Sequence, residues 1–207
     1  SLGVSFFSGI RASEPDMRIS GDAYFDEKNL MDIKVISTMG LTKDDLHAIE
    51  GISDVAKAEG GFSQDMLLNI DDNQKVLHVM SIPKSMNELT VSEGRMPEKE
   101  GECLVDIDFL EGTSYRIGDT ITLTGEDSGI LEVKEFKIVG TGSSPSYISF
   151  GRGSSLIGTG TVSGFLTVTD ENFSPDTYTE IYVKAAGAKE ETAFTEGYQK
   201  KVDHVID

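Results

Sequence analysis

The sequence predicts an α+β fold with a small strand–helix–strand unit, a β-rich stretch after it, and a last strand and helix. Three observations predict it. Between Asn29 and Ser63 a strand, a helix and a second strand follow one another. From about residue 91 to 177, short alternating runs separated by turns take over. From Tyr178 a last strand leads into an amphipathic helix.

Residues 11–28 are polar, carry one proline and suit an extended segment. Met31, Ile33 and Val35 then alternate with Asp32 and Lys34, the period-two pattern of a half-buried strand. Gly40 breaks the run. Thr42 with Asp45 three places on makes a capping box, with Asp in place of the usual Glu, and Leu41 with Leu46 fits a hydrophobic staple. Asp44 and Asp45 fall in the first turn, where the helix dipole favours negative charge. Leu46, Ile49 and Ile52 give one apolar stripe, Gly51 suits the helix end, and Val55 begins the next extended run. Met66, Leu68 and Ile70, a turn at Asp71 to Gln74, and Lys75 to Ile82 read as a hairpin.

Composition shifts near Thr90. Gly94 to Glu102 reads as a charged loop and CLVD as a short strand. Gly118-Asp119 is a turn pair before Ile121 and Leu123. Ile130 to Thr141 is a strand with a phase break near Glu135. Residues 143–164 are rich in Gly and Ser, GFLTVT is a strand, and Tyr178 to Val183 alternates as another. Residues 189–207 form a helix whose apolar face holds Phe194, Tyr198, Val202, Val205 and Ile206.

The 207 residues hold 18 basic and 36 acidic side chains, a net charge of −18. That balance argues against binding a nucleic-acid backbone, which needs clustered Lys and Arg, and against lying on an anionic bilayer. One cysteine, Cys103, excludes an intrachain disulfide; it reads as a buried, inert thiol in a strand. No apolar run reaches the length of a membrane span. The opening SLGVSFFSGI fits either an excised piece of a longer apolar segment or an ordinary strand. The final helix carries no stop signal, as expected of one that continues in a parent chain.

The candidate chemistry is sparse. His47, His78 and His204 lie far apart without metal-ligand spacing. Asp71, Asp72 and Asn73 lack the rest of a calcium loop and read as turn residues. The Gly-rich run at residues 151–164 leads into a strand rather than a helix and has Arg152 as its one cation, which is a poor phosphate cradle. Glu98, Glu100 and Glu102, and Asp106 with Asp108, are acidic groupings expected by chance in so acidic a chain; Asp106 and Asp108 are the pair a carboxylate-dependent hydrolase would use. Tyr147, Phe150, Leu156 and Ile157 stand in the Gly/Ser-rich segment as contacts for a partner or substrate, or else as packing over the neighbouring sheet.

Four pieces together resemble a known family: GIRAS after the apolar start; DIKVISTMGLTKDDLHAIEGISDVAKAEGG; EGRMPEKEGECLVD followed by YRIGDTITLTG and FKIVGTGSSP; and TGTVSGFLTVTDENF with YTEIYVKAAGA. In order and spacing they resemble the extracytoplasmic core domain of ABC-transporter permeases of the FtsX-like, MacB-type class, over nearly the whole chain. The resemblance implies a juxtamembrane lead-in at residues 1–23. It implies a porter-like α/β subdomain from 24–90 and 178–207, and an inserted β-rich, sabre-like subdomain at 91–177. It implies no catalytic residue, cofactor or metal, and a mechanical role: transmitting ATP-driven conformational change at the outer side of the cell membrane to a substrate or partner. The implied partners are an ABC ATPase subunit or domain reached through the membrane part, a second permease copy or paralogue, and an extracytoplasmic substrate or protein; no nucleic acid is implied. The rival expectations are a secreted or surface ligand-binding module and a carboxylate-dependent hydrolase.

Overall fold

The structure, a computed structural model, describes residues 23–70, 73–125, 129–147, 152–174, 177–188 and 196–206. Its strands form two sheets. The smaller is antiparallel in the order β1 (Ile33–Leu41), β10 (Tyr178–Ala185), β2 (Val55–Gly61). β1 and β2 are joined by α1 (Lys43–Glu50), and β10 is inserted between them, a split β-α-β unit. β10 thus pairs with both strands of the Asn29–Ser63 region.

Local chemistry accounts for α1. Asp45 donates its backbone N–H to Thr42 Oγ1 (3.1 Å), and Thr42 N–H donates back to Asp45 Oδ2 (2.7 Å), closing the capping box. The Thr42 N–H, and with it the Thr42 hydroxyl donating to the same oxygen (2.7 Å), hold the Asp45 carboxyl below its ordinary value. Leu46 and Ile49 pack on Ile181, Val183 and Ala58, and Leu41 and Val205 join the same cluster. Ile52 does not: it follows the helix end and is 41% exposed, so the stripe is one residue shorter than its spacing suggests.

The larger sheet runs β3 (Ser63–Ile70), β4 (Asn73–Ser81), β9 (Val162–Val168), β6 (Glu102–Asp106), β8 (Glu135–Ser143), β5 (Thr90–Gly94), with β7 (Thr120–Thr122) also on β8. Leu67 and Thr124 exchange backbone hydrogen bonds of 2.8 and 2.7 Å, so the first strand meets the segment after β7. The sheet therefore curls around its main core, which holds Met66, Leu68, Leu77, Val79, Cys103, Val105, Ile121, Phe136, Ile138 and Leu166, all at most 1% exposed. α2 (Ile107–Glu111) adds Phe109 and Leu110 to it.

The two sheets divide at Phe62, between β2 and β3, whereas composition places a change near Thr90. Only Phe62 separates the strands, so the chain passes between sheets by a bend. Residues 23–27 are helical rather than extended, with Lys28 N–H bonded to Tyr24 C=O. The last helix, α3, is described as Glu196–Ile206. Residues 1–22 and 189–195 and the turn residues Asp71 and Asp72 lie outside the described residues, and with them Phe194.

Candidate functional site

The chemistry-bearing side chains gather on the outer face of the curled sheet. Side chains alternate across a strand, so Met66 and Leu68 of β3 enter the core while Asp65 and Leu67 face out. β4 contributes His78 and Met80, β9 Phe165 and Thr167, and β6 Leu104 and Asp106 to that outer side. The segment that follows β8 covers it. Tyr147 stacks on Phe165 with ring centroids 5.3 Å apart and lies 6.1 Å from the His78 ring. Desolvation, aided by the Glu180 and Asp65 charges, pushes its phenol well up.

Arg152 fixes this covering segment. Its Nε and Nη2 donate to Asp106 Oδ2 and Oδ1 at 2.7 and 3.0 Å, Nη2 also to Asp108 Oδ2 at 2.5 Å, and Nη1 to the Tyr147 carbonyl at 2.8 Å. The Arg152 side chain is 6% exposed and that of Asp106 1%. Asp106 also caps α2 by accepting from Asp108 N–H. The carboxylate pair considered for hydrolysis is therefore committed to a guanidinium and a helix cap. The one cation of the Gly-rich run is committed with it, which closes the phosphate reading as well.

The segment then turns back on itself. Val162 N–H bonds Gly153 C=O, Ser155 N–H bonds Gly160 C=O, and Ser154 bridges Thr161. Gly158, at φ +55°, packs so tightly that a Cβ there would lie 2.7 Å from Leu67 and 2.9 Å from Val76. Ser155 Oγ donates to Asp65 Oδ2 at 2.5 Å, and His78 Nδ1 lies 2.7 Å from Asp65 Oδ1. Burial alone would raise the Asp65 carboxyl; the His78 and Ser155 hydrogen bonds, with charge from His78 and Lys34, bring it below its ordinary value.

Asp65, His78 and Thr167 occupy successive strands, the order of a carboxylate, imidazole and hydroxyl relay. His78 Nε2 and Thr167 Oγ1 are both buried without a hydrogen-bond partner. Thr167 is 0% exposed and sits between strands on both sides, so no substrate reaches its hydroxyl. The arrangement lacks the accessible nucleophile that acyl transfer needs.

Of the four contact residues named from sequence, three are described, and they divide. Tyr147 packs on the Met80, Leu104 and Phe165 cluster. Ile157 is half-buried. Leu156, at the tip of the turn, is fully exposed. Phe150 lies outside the described residues. Cys103 is buried, and desolvation pushes its thiol far up, so it is no nucleophile in the folded chain. His47 is on the exposed side of α1, and no group of three or more His, Cys, Asp or Glu among the described residues is placed to hold a metal ion.

Two buried acids carry more structure than their sequence setting suggests. Asp32 accepts from Lys184 Nζ (3.2 Å), Ala185 N–H (2.8 Å) and Tyr198 Oη (2.8 Å), tying β1 to β10 and α3. Glu59 accepts from Lys84 N–H (2.6 Å), Ser85 N–H (2.9 Å) and the Ser85 hydroxyl. Glu59 lines a shallow groove of about 310 Å³ with Leu46, Lys57, Lys84 and Tyr178. Its carboxylate is already occupied by the chain itself. In an acidic sequence such residues look like solvated charges, and alternation with Ile33 and Ala58, which face the core, would place both on the solvent side.

No known protein-family pattern matches the sequence, and no curated protein matches it. Solved structures do. The chain is similar to the extracellular domain of the ABC-type transporter YknZ from Gram-positive bacteria, at 12% identity and a TM-score of 0.46, over 80% of each chain. It is similar to the periplasmic region of MacB from Actinobacillus actinomycetemcomitans, at 11% identity and 0.43, over 83% of this chain and 74% of that one. A domain of a permease protein from Porphyromonas gingivalis aligns at 13% identity and 0.38, over 67% and 65%.

Proposed function

We propose that the chain is the extracytoplasmic domain of an ABC-transporter permease, which carries ATP-driven movement from the membrane to a substrate or protein partner outside it. The observation that supports this reading best is the Asp32 junction. The segment entering β1 and the helix leaving β10 meet on one buried carboxylate, beside a sheet whose three strands come from both ends of the described chain. A displacement of either flanking segment is thereby imposed on the small sheet. The sheet passes it through the single-residue bend at Phe62, and through the hydrogen bond from Ser63 N–H to Thr179 Oγ1 (2.7 Å), into the large one. The Asp106–Asp108 pair is engaged by Arg152 and Cys103 is buried, so neither of these two candidates competes with this reading. An ATPase subunit or domain and a second permease copy are its expected partners, and the outer side of the cell membrane its expected place.

The test uses the full-length parent protein. It should partition with membranes, carry an apolar run of ~20 residues on each side of this domain, and co-purify with an ATPase. A pair of spin labels at Leu156 and in the flanking membrane segment should change separation with nucleotide, and Asp32→Ala should abolish that change while ATP turnover persists. A parent found in the soluble fraction, or a distance that ignores nucleotide in the wild-type protein, overturns the proposal.

A further inference from the structure

The six large apolar residues most exposed among the described ones include Ile36, Met39 and Leu156, and Leu156 alone is completely exposed. Its setting differs from that of an ordinary loop leucine. The turn that carries it is closed by the Ser155–Gly160 and Gly153–Val162 backbone bonds. It is seated on Leu67 and Val76 through Gly158, tied by Ser155 to Asp65, and held on its N-terminal side by the buried Arg152–Asp106 pair. Two bonds within the turn and three attachments to the sheet, over about ten residues, hold a tip whose outermost side chain is fully exposed. Ordering the loop costs conformational entropy, and here that cost is met within the fold rather than on binding, which is the condition for a strong anchor residue. Leucine fully in water gains from burial in a partner's pocket.

The charges beside the tip define that partner. Asp108, 62% exposed, flanks the Arg152 attachment, and Asp65, 25% exposed, flanks the Ser155 one. Of the cations nearby, Lys34 is held by Glu180 and Arg152 by Asp106 and Asp108, and Lys75, between the Gln74 and Val76 on which Gly158 packs, is exposed. The whole chain carries −18. We propose that Leu156 is a preorganised anchor for a protein partner presenting an apolar pocket rimmed by Lys and Arg. A second copy of this chain would bring the same negative charge to the contact, and an anionic bilayer would repel it. The inference rests on the permease reading only for the place where the partner is met.

The experiment replaces Leu156 with a photo-crosslinking phenylalanine analogue in the full-length parent in living cells, with the same analogue at Ile52 as control. The expected result is one discrete protein adduct from position 156 and none from 52. The adduct partner, purified, should lose about tenfold or more in affinity for Leu156→Asp and little for Leu156→Met. Its binding should weaken between about 50 and 500 mM salt, as an electrostatic rim requires. No adduct, an adduct with lipid or with a second copy, or binding insensitive to Leu156→Asp or to salt overturns the inference. Because Leu156 touches no core residue, Leu156→Asp should leave membrane partition and ATPase co-purification intact. Their retention without an adduct sinks the anchor alone, and their absence in the wild-type protein sinks the permease reading.

Discussion

Strand β6 carries a carboxylate at each end, and an arginine from a different loop grips each with two hydrogen bonds. Arg152 holds Asp106 at 2.7 and 3.0 Å; Arg95 holds Glu102 at 2.8 and 2.7 Å. The bonds are alike, but the surroundings are not. Arg152 and Asp106 are 6% and 1% exposed, Arg95 and Glu102 44% and 7%. The first clamp is dry on both sides, so its removal leaves a charge with no water to turn to. The second keeps one wet side. Equal geometry should therefore yield unequal consequences, because desolvation sets the cost of breaking an ion pair more than bond length does.

The largest expected effect follows from that asymmetry. Arg152→Ala should destabilise the domain by about 3–5 kcal/mol, since it strands the buried Asp106 carboxylate. Chemical denaturation measures it. The double variant Arg152→Met with Asp106→Asn loses the same Arg152 hydrogen bonds yet strands no charge, and keeps an acceptor for the α2 cap. It should be more stable than Arg152→Ala. A double variant equal to or worse than the single one would show that lost contacts, not the stranded charge, set the cost. Cys103 lies between the clamps and offers a local readout: its thiol, inert while buried, should react with a disulfide reagent faster in Arg152→Ala, in step with opening of β6.

The wet clamp depends on backbone more than on charge. Gly94 has φ +78° and pairs with Gly140 across β5 and β8. A Cβ on Gly140 would fall 2.3 Å from the Arg95 carbonyl oxygen, and one on Gly94 2.3 Å from that of Val139. Both clashing atoms are backbone and have nowhere to go. Gly140→Ala should cost about 1–3 kcal/mol by overpacking, and it should do so equally with Arg95 intact or replaced by Met. A strong dependence on Arg95 would move the second clamp closer in kind to the first.

These two motifs mark how far the sequence could be read. Helix α1 announced itself through Thr42, Asp45 and the Leu46–Ile49 spacing because caps and amphipathic stripes are local signals. CLVD, the run through Ile121 and GFLTVT lie in strands as read, and Cys103 is buried as its strand setting suggested, whereas the run read as one strand from Ile130 enters the sheet only at Glu135. What stayed hidden were the side-chain contacts across many residues: Arg152 with Asp106, Ser155 with Asp65, Tyr198 with Asp32. No periodicity reports which of 36 acids meets one of 18 cations. The Gly/Ser-rich segment was singled out as a unit, but its apolar residues have opposite fates, Tyr147 packing inward and Leu156 projecting outward. That split depends on the turn geometry set by Gly158 and Gly160, at φ +55° and +75°, which composition does not encode.

The smallest effect sharpens the comparison through acid. Arg95, and then the Glu98 N–H, hold the Glu102 carboxyl down from 4.5 to about 2. The folded protein thus keeps Glu102 ionised at pH values where the unfolded chain has begun to take up a proton. Its contribution is whole above about pH 4.5 and fades as the pH falls towards about 2. Glu102→Gln should lower the melting temperature modestly at neutral pH, less than Arg152→Ala does, because half of the Arg95 surface can rehydrate. The gap between wild type and Glu102→Gln should then narrow steadily between pH 4.5 and 2. A gap that stays constant across that window would assign the loss to packing rather than charge. It would leave the buried clamp as the only electrostatic tie on β6.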